Sequence, residues 1–451
     1  MKAAGGADAV KPASPEARRV AAGGPGTGWA WYGLAVLIGT TVFAYVDRQI
    51  IYLIAPSLQL RFGWTDLQLG VLQGLGLALF ASVAGYPIGW LADRFGRRRV
   101  LAACVMVWSA STAAAAFQNS FSGLFAATVG IAVGEAALTP IIFAMIPDLF
   151  PERHRGNANF IFWGAAALGA SAGLGLGGIL LDWLSDHQQQ LPGPLGAMES
   201  WRTALILVAA PAPLVLLLLT TIRMRPRTGL PAGSQDPGPD LDRIAPFARA
   251  NMRMLLCLYG AVAAYGLPLM AGFIWLPVAL PRIFGVAPAT VGIEMGLVTA
   301  VAAIAGMALP AVGSRILRQS TILNSVRMAI VFSLLGTIPT LALPFASAAW
   351  QVYGLVGVQF SLGLAVGALM PGLVQLISPP GLRARLLVIL GVVAALAQGL
   401  SPVFVGGISG MMDSPHGVLT ALAIVGLPGW FLTAILMMFA RRPLAAAVTA
   451  P

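Results

Sequence analysis

The amino-acid sequence predicts an all-α integral membrane protein of twelve transmembrane helices, built as two six-helix pseudo-repeats with both termini cytoplasmic. Three observations predict it. Of 451 residues, 58% are hydrophobic and only 10% charged, at a mean hydropathy of +0.84, which is too much apolar surface for one soluble core. The apolar residues fall in runs long enough to cross a hydrocarbon layer of ~30 Å. The basic residues lie on one side of those runs. Of the 27 Lys and Arg, only Arg61, Arg202 and Arg282 fall on the other side, and Arg48 lies within a run. That asymmetry orients membrane proteins, and it accounts for a net charge of +11 without nucleic acid.

In chain order, residues 1–28 are Ala/Gly/Pro-rich and polar, and read as a disordered cytoplasmic tail with no cleavable signal peptide. An N-terminal bundle, 29–222, follows, with apolar runs at 29–59, 65–92, 99–118, 121–148, 157–184 and 201–222. Residues 223–248 are rich in Pro, Gly, Asp and Arg and form a cytoplasmic linker. The C-terminal bundle, 249–440, holds runs at 249–284, 287–312, 321–345, 348–377, 385–410 and 416–440, before a cytoplasmic tail, 441–451. A shift of 222 residues aligns the bundles. Phe62-Gly63 falls on Phe284-Gly285, Gly70 on Gly292 and Gly74 on Gly296, while Gly130/Gly134 of the fourth run echoes Gly363/Gly367 of the tenth. Such a duplication places a site between halves near the bilayer midplane. Glycines four apart let helix backbones approach closely. Prolines 140, 147, 268, 277, 371 and 402 leave carbonyls unpaired and bend their helices.

An ionisable side chain at bilayer depth costs ~2.5–3.5 kcal/mol on insertion scales, so each needs a reason. Asp47 and Arg48 in the first run and Glu135 in the fourth stand out. Neighbouring residues on a helix point roughly 100° apart, so Asp47 and Arg48 cannot both face one partner. The expected geometry has Arg48 reaching Glu135 across a cavity, with Asp47 turned to a neighbouring helix or water. Burial disfavours a charged carboxylate and a nearby guanidinium favours it. A Glu whose Arg partner comes and goes therefore gains and loses a proton in step. Asp47 and Glu135 are the expected proton-coupling residues, and a fixed structural ion pair is the alternative.

Gly89-Trp90-Leu91-Ala92-Asp93-Arg94-Phe95-Gly96-Arg97-Arg98-Arg99 reads as a tight hydrophilic loop between the second and third runs. Its pattern G-x-L-A-D-R-x-G-R-R closely resembles the loop between helices two and three of the major facilitator superfamily of secondary transporters. Tyr45-Val46-Asp47-Arg48-Gln49 with Ala55-Pro56, and Gly130-x-x-x-Gly134-Glu135-Ala136 with Pro140, Asp148, Pro151 and Arg155-Gly156, resemble the spinster-like branch and the related organic anion:cation symporters. The likeness covers most of the first half and is vague in the second. It implies the major facilitator fold, proton sites at Asp47 and Glu135, and a substrate or ion-pair contact at Arg48. The branch pattern carries an Arg where this chain has Thr128, so one cation is missing from the substrate site. A weakly anionic, aromatic or amphipathic small solute suits the remaining Arg48.

By analogy with the superfamily, Asp93 is expected to bind the start of the eleventh helix, after Pro379-Pro380-Gly381, with Arg94 and Arg97 meeting Asp148 or Glu152, as a cytoplasmic latch. The echo of that loop, Ser314-Arg315 and Arg318, lacks the acid. Gln73, Tyr265, Trp275, Gln359 and Gln398 lie on cavity-lining helices of the superfamily and are candidate substrate contacts or inter-helix partners. Glu294 is a second coupling site or an interface residue, and Asp182 and Asp186 are solvated. Cys104 and Cys257 lie singly in apolar runs and offer no disulfide or metal site.

The whole reads as a proton-coupled secondary active transporter, a monomer in a bacterial inner membrane, with a small organic solute, protons and the lipid bilayer as partners and no cofactor. The alternatives are a drug/proton antiporter, and a solute-sensing receptor or passive facilitator of the same fold. His154, His187 and His416 are scattered and no nucleotide-binding Gly-Lys motif exists, which argues against an enzyme or an ATP-driven pump.

Overall fold

The computed structural model describes residues 27–224, 241–317, 322–379, 382–412 and 414–449. The predicted tail lies outside these residues up to position 26, as do linker residues 225–240, Arg318, Pro380 and Gly381. The described part is helical nearly throughout, and eleven of its helices are long and apolar enough to cross a membrane.

In the first half these are α1 (Thr27–Leu53), α2 (Asp66–Phe95), α4 (Phe121–Leu149), α5 (Glu152–His187) and α6 (Ser200–Thr221). Between α2 and α4 runs α3 (Arg97–Ala115). It is not among the eleven because Arg97, Arg98, Arg99 and the Ser109-Ala110-Ser111-Thr112 stretch dilute its apolar residues. The second half contains α7 (Met252–Phe284), α8 (Pro288–Ile316), α9 (Ile322–Ala342), α10 (Ala349–Ile377), α11 (Arg383–Ser409) and α12 (Gly417–Thr449).

Several boundaries depart from expectation for local reasons. The predicted loop at Gly89 shrinks to a single residue. Asp93 and Arg94 still belong to α2, and Gly96, at φ 93, makes the turn into α3 alone, a backbone conformation open chiefly to glycine. Pro56 starts a separate helix, Ala55–Phe62, beyond α1. The end of the predicted linker, 241–248, falls in a helix, Leu241–Ala250, and α12 continues through most of the predicted C-terminal tail. α4 breaks at Ala136–Ala137. Pro140 has no N–H to give the Ala136 carbonyl four residues back, so the helix reopens directly after Glu135.

Each half has its own apolar core. Trp108, Phe150 and Phe162 are fully buried in the first, and Trp430 anchors the second. Another cluster joins the halves, packing Leu53, Leu69 and Leu174 with Trp275, Val291 and Val405. Beside that cluster the closest approaches are to backbone. A Cβ at Gly292 of α8 would stand 2.7 Å from Gly178 Cα of α5, and one at Gly296 would stand 2.8 Å from the Gly175 nitrogen. Gly70 and Gly74 of α2 lie as tightly against the Pro402 and Gly399 carbonyls of α11. All these contacts lie where α1 ends and α2 begins. Towards the end that carries Thr27, a Cβ at Gly89, Gly156, Gly164 or Gly391 would meet nothing within 4 Å. The tight glycine contacts between the halves thus gather at one end of the molecule.

Candidate functional site

Between the halves lies a cavity of about 290 Å³, walled by Tyr45, Arg48, Gln49 and Tyr52 of α1, Ser171 of α5, and Met270, Phe273, Thr299, Phe360 and Gln398 of the second half. A second space of about 160 Å³ shares Arg48, Tyr52, Met270 and Gln398 and reaches Gln73 of α2. Among the described lining residues of both, Arg48 alone carries a charge. The walls are otherwise aromatic, aliphatic and neutral polar, the usual make-up of a small-molecule site.

Arg48 Nε donates to Glu135 Oε2 at 2.7 Å, and Nη2 donates to the same oxygen. The two ends differ in exposure: the Arg48 side chain is 38% exposed and that of Glu135 is 1%. Glu135 Oε1 has no protein partner. Asp47 points elsewhere and is fully buried. Its Oδ2 accepts from Thr112 Oγ1 of α3 at 2.6 Å. The split orientation expected from helix geometry is therefore present, and Thr112 is the partner that sequence reasoning did not find. A hydroxyl in an apolar helix normally bonds its own backbone, as Thr112 also does towards the Trp108 carbonyl at 3.1 Å, so nothing in the residue pattern singles it out.

The other candidates are dispersed. Gln73 lines the smaller space, with Nε2 3.4 Å from the Ile51 carbonyl. Thr128 is buried and donates to the Leu124 carbonyl at 3.0 Å. Gln359 donates to Thr340 Oγ1 at 2.9 Å, and Trp275 donates to the Pro402 carbonyl at 3.1 Å; both tie helices together. Tyr265 packs in the core of the second half beside Gly367. Glu294, Asp182 and Asp186 are exposed. Cys104 and Cys257 are free and buried.

At the end that carries Thr27, Arg97 donates to Asp148 Oδ2 at 3.0 Å and to the Ala144 carbonyl. Asp93 is exposed, 3.6 Å from Arg97. Arg94 lies over the rings of Trp90 and Phe95 rather than against an acid. Glu152 is exposed at the start of α5.

At the opposite end stands a second charged contact that the sequence did not disclose. Asp66, in the first turn of α2, accepts from Arg282 Nη1 at 2.9 Å and Nη2 at 2.7 Å, from Ser409 Oγ at 2.7 Å and from Gln59 Nε2 at 2.7 Å. Arg282 is on α7 and Ser409 on α11, so one carboxylate clamps both halves in a two-pronged, charge-assisted arrangement. Nearby, Glu199 joins Arg202 at 2.9 Å and Arg61 at 2.6 Å. Slight burial pushes its carboxyl up, and the hydrogen bonds and charges of Arg202 and Arg61 outweigh this and hold it below its ordinary value.

A family model described as Major Facilitator Superfamily matches residues 37–402. The chain is 27% identical over 293 residues to an MFS-type efflux pump of Mycolicibacterium smegmatis, an alignment covering 63% of this chain and 62% of that one. It is 31% identical over 179 residues to the sphingosine-1-phosphate transporter SPNS2 of Mus musculus, covering 39% of this chain and 32% of that protein. Among solved structures, it superposes at a TM-score of 0.75 and 22% identity on a bacterial homologue of the human lysosomal transporter Spinster, described as inward-facing and unoccupied, with 93% of this chain and 97% of that one covered.

Proposed function

The chain belongs to the Major Facilitator Superfamily, and from that premise we propose that it is a proton-coupled carrier of a weakly anionic, aromatic or amphipathic organic solute, working by alternating access. We take α3 as a twelfth crossing and the end bearing Thr27 as cytoplasmic, so that the conformation described is open inward. One observation carries the reading. Arg48 presents a half-exposed guanidinium to the cavity while its partner Glu135 is buried behind it.

A solute carboxylate entering the cavity competes with Glu135 for Arg48. Once released, Glu135 has no second cation among the described residues to hold its charge in a buried site, and it takes up a proton. The exchange adds one anion and one proton, leaves the site's net charge unchanged, and runs in either direction across the membrane. Relatives named for efflux and for solute transport are both compatible with it. Thr128, in place of a second arginine, favours a monoanion over a dianion. Tyr45, Tyr52, Phe273 and Phe360 suit an apolar or aromatic body. On this reading the Asp66–Arg282 clamp is the outer gate, and an Asp93 latch forms at the other end only when the halves close there.

Proton flux into proteoliposomes on addition of candidate monoanions, compared with Glu135→Gln, tests the coupling. The expected result is flux with the native protein and none with the variant; identical flux in both would falsify the role given to Glu135.

A further inference from the structure

We propose that a small compartment behind the ion pair is a water site through which protons reach Glu135 from the cytoplasm, separate from the path of the solute; this rests on Glu135 being the proton carrier. The compartment measures about 70 Å³ and is lined by Thr41, Tyr45, Arg48, Glu135 and Thr139 among others, all on α1 and α4. At ~30 Å³ per molecule it has room for about two waters. The solute cavity draws its walls from both halves, whereas this one lies wholly within the first.

Its position along the membrane follows from helix rise. Thr41 precedes Arg48 by roughly 10 Å on α1, at 1.5 Å per residue, and Thr139 follows Glu135 by four residues on α4, past the break at Ala136–Ala137. Both hydroxyls are displaced towards the cytoplasmic end. A water needs two to four polar partners, and they are present. Thr41 Oγ1 donates to the Leu37 carbonyl at 3.0 Å, leaving its lone pairs to accept. Thr139 and Tyr45 bring further hydroxyls. Glu135 Oε1 is buried without a protein partner and lacks a donor.

Tyr45 and Arg48 line both spaces and form the wall between them. When Arg48 turns to a solute anion, Glu135 keeps its contact with the compartment. A hydronium there gives its proton to Oε1 and is left as water, while Arg48 retains its charge and pairs with the solute carboxylate. The titratable groups acting on Glu135 are Arg48, Asp47, Tyr45 and Tyr52, all on α1. From α3, Thr112 reaches Asp47, and among the described residues no charged side chain of α2, α3 or α5 acts on Glu135.

The test is a pH-jump infrared difference measurement on the full-length protein in liposomes, with the Glu135 carboxyl band identified by its absence from Glu135→Gln. The Thr41→Val/Thr139→Val variant is expected to slow protonation at least tenfold, and Thr41→Ser/Thr139→Ser to restore the native rate. With the pH jump made in the absence of solute, Ala170→Leu, at a residue lining the solute cavity, should leave the protonation rate as it was, while a separate binding measurement shows solute excluded. Native-rate protonation in the double Val variant overturns the proposal, as does equal slowing by Ala170→Leu. A native protein with no Glu135 band at any pH would instead remove the coupling reading on which the proposal stands. Should the double Val variant fail to fold, each single Val variant is read by the same criterion.

Discussion

On the orientation proposed above, replacing Asp66 by Asn should open the outer end of the protein. The substitution keeps the shape of the side chain, removes its charge and turns one acceptor into an amide that donates towards Arg282 and Ser409. In the conformation described, Asp66 accepts two hydrogen bonds from Arg282 and one from Ser409 across the halves. Charge-assisted bonds are worth ~1.5–3 kcal/mol each when well buried. The Arg282 side chain is 30% exposed, and solvent screening reduces the pair's worth, so a net loss of about 2 kcal/mol is a fair expectation. At 1.4 kcal/mol per tenfold, the ratio of outer-closed to outer-open protein falls roughly 30-fold, provided the clamp is absent once the halves part at this end. Spin labels on the outer ends of α2 and α11, read as a distance distribution in liposomes, would show the longer distance growing. Arg282→Gln should act alike, and the double variant should add little, because either change alone already breaks the clamp. Unchanged distances in Asp66→Asn, or fully additive effects in the double variant, would refute the gate.

Three more outcomes follow from the geometry. Arg48→Gln leaves Glu135 buried without its cation. A fully buried broken pair costs ~3–5 kcal/mol; with the Arg48 side chain 38% exposed and Glu135 free to take up a proton, thermal stability should fall by less, about 2 kcal/mol. Adding Glu135→Gln should recover much of that in the same melt, and no recovery would mean that the two side chains are not coupled. Gly292→Leu forces a side chain into the space held by Gly178 and the Leu174 carbonyl; overpacking of about 1–3 kcal/mol should favour the outward-open state in the same distance measurement, and an unmoved distribution would show that α8 can yield. Glu199, held below its ordinary value of 4.5 by Arg202 and Arg61, contributes stability that is fully present above that pH and lost as pH falls through the lowered folded value. Glu199→Gln should flatten the fall in melting temperature over that acidic window, and an unaltered slope would count against the network.

How much of this was readable beforehand depended on the cost of each feature. Arg48 and Glu135 were readable as a pair because charge at bilayer depth demands a counter-charge, and only a few candidates were available. Pro140 announced a bend, and its placement just after Glu135 made the break in α4 part of the site. Asp66 and Arg282 lie at a water interface, where a charge needs no partner, and 216 positions separate them; only the fold brings them together. Thr112 was hidden because it bonds its own backbone just as its neighbour Ser111 does towards the Val107 carbonyl. Gln359 and Trp275 have the residue types of ligand contacts, yet their hydrogen-bonding atoms are spent on Thr340 and Pro402. The extent of α2 was misjudged because polar side chains at a helix end resemble a loop when only hydropathy is read.

The four glycines that align between halves, Gly70 with Gly292 and Gly74 with Gly296, all lie in the seam, the first pair member on α2 and the second on α8. One duplicated stretch thus supplies both lips of the closure, at sites related by the internal symmetry. At each lip the closest approach is to main chain, with the apolar cluster and the Asp66–Arg282 clamp packed around it. The two seams are comparably tight, a Cβ on α8 meeting main chain at 2.7–2.8 Å and one on α2 slightly closer, so a rotation that parts one should part the other. A carrier built so has little reason to linger half-open, which keeps the site from facing both sides of the membrane at once.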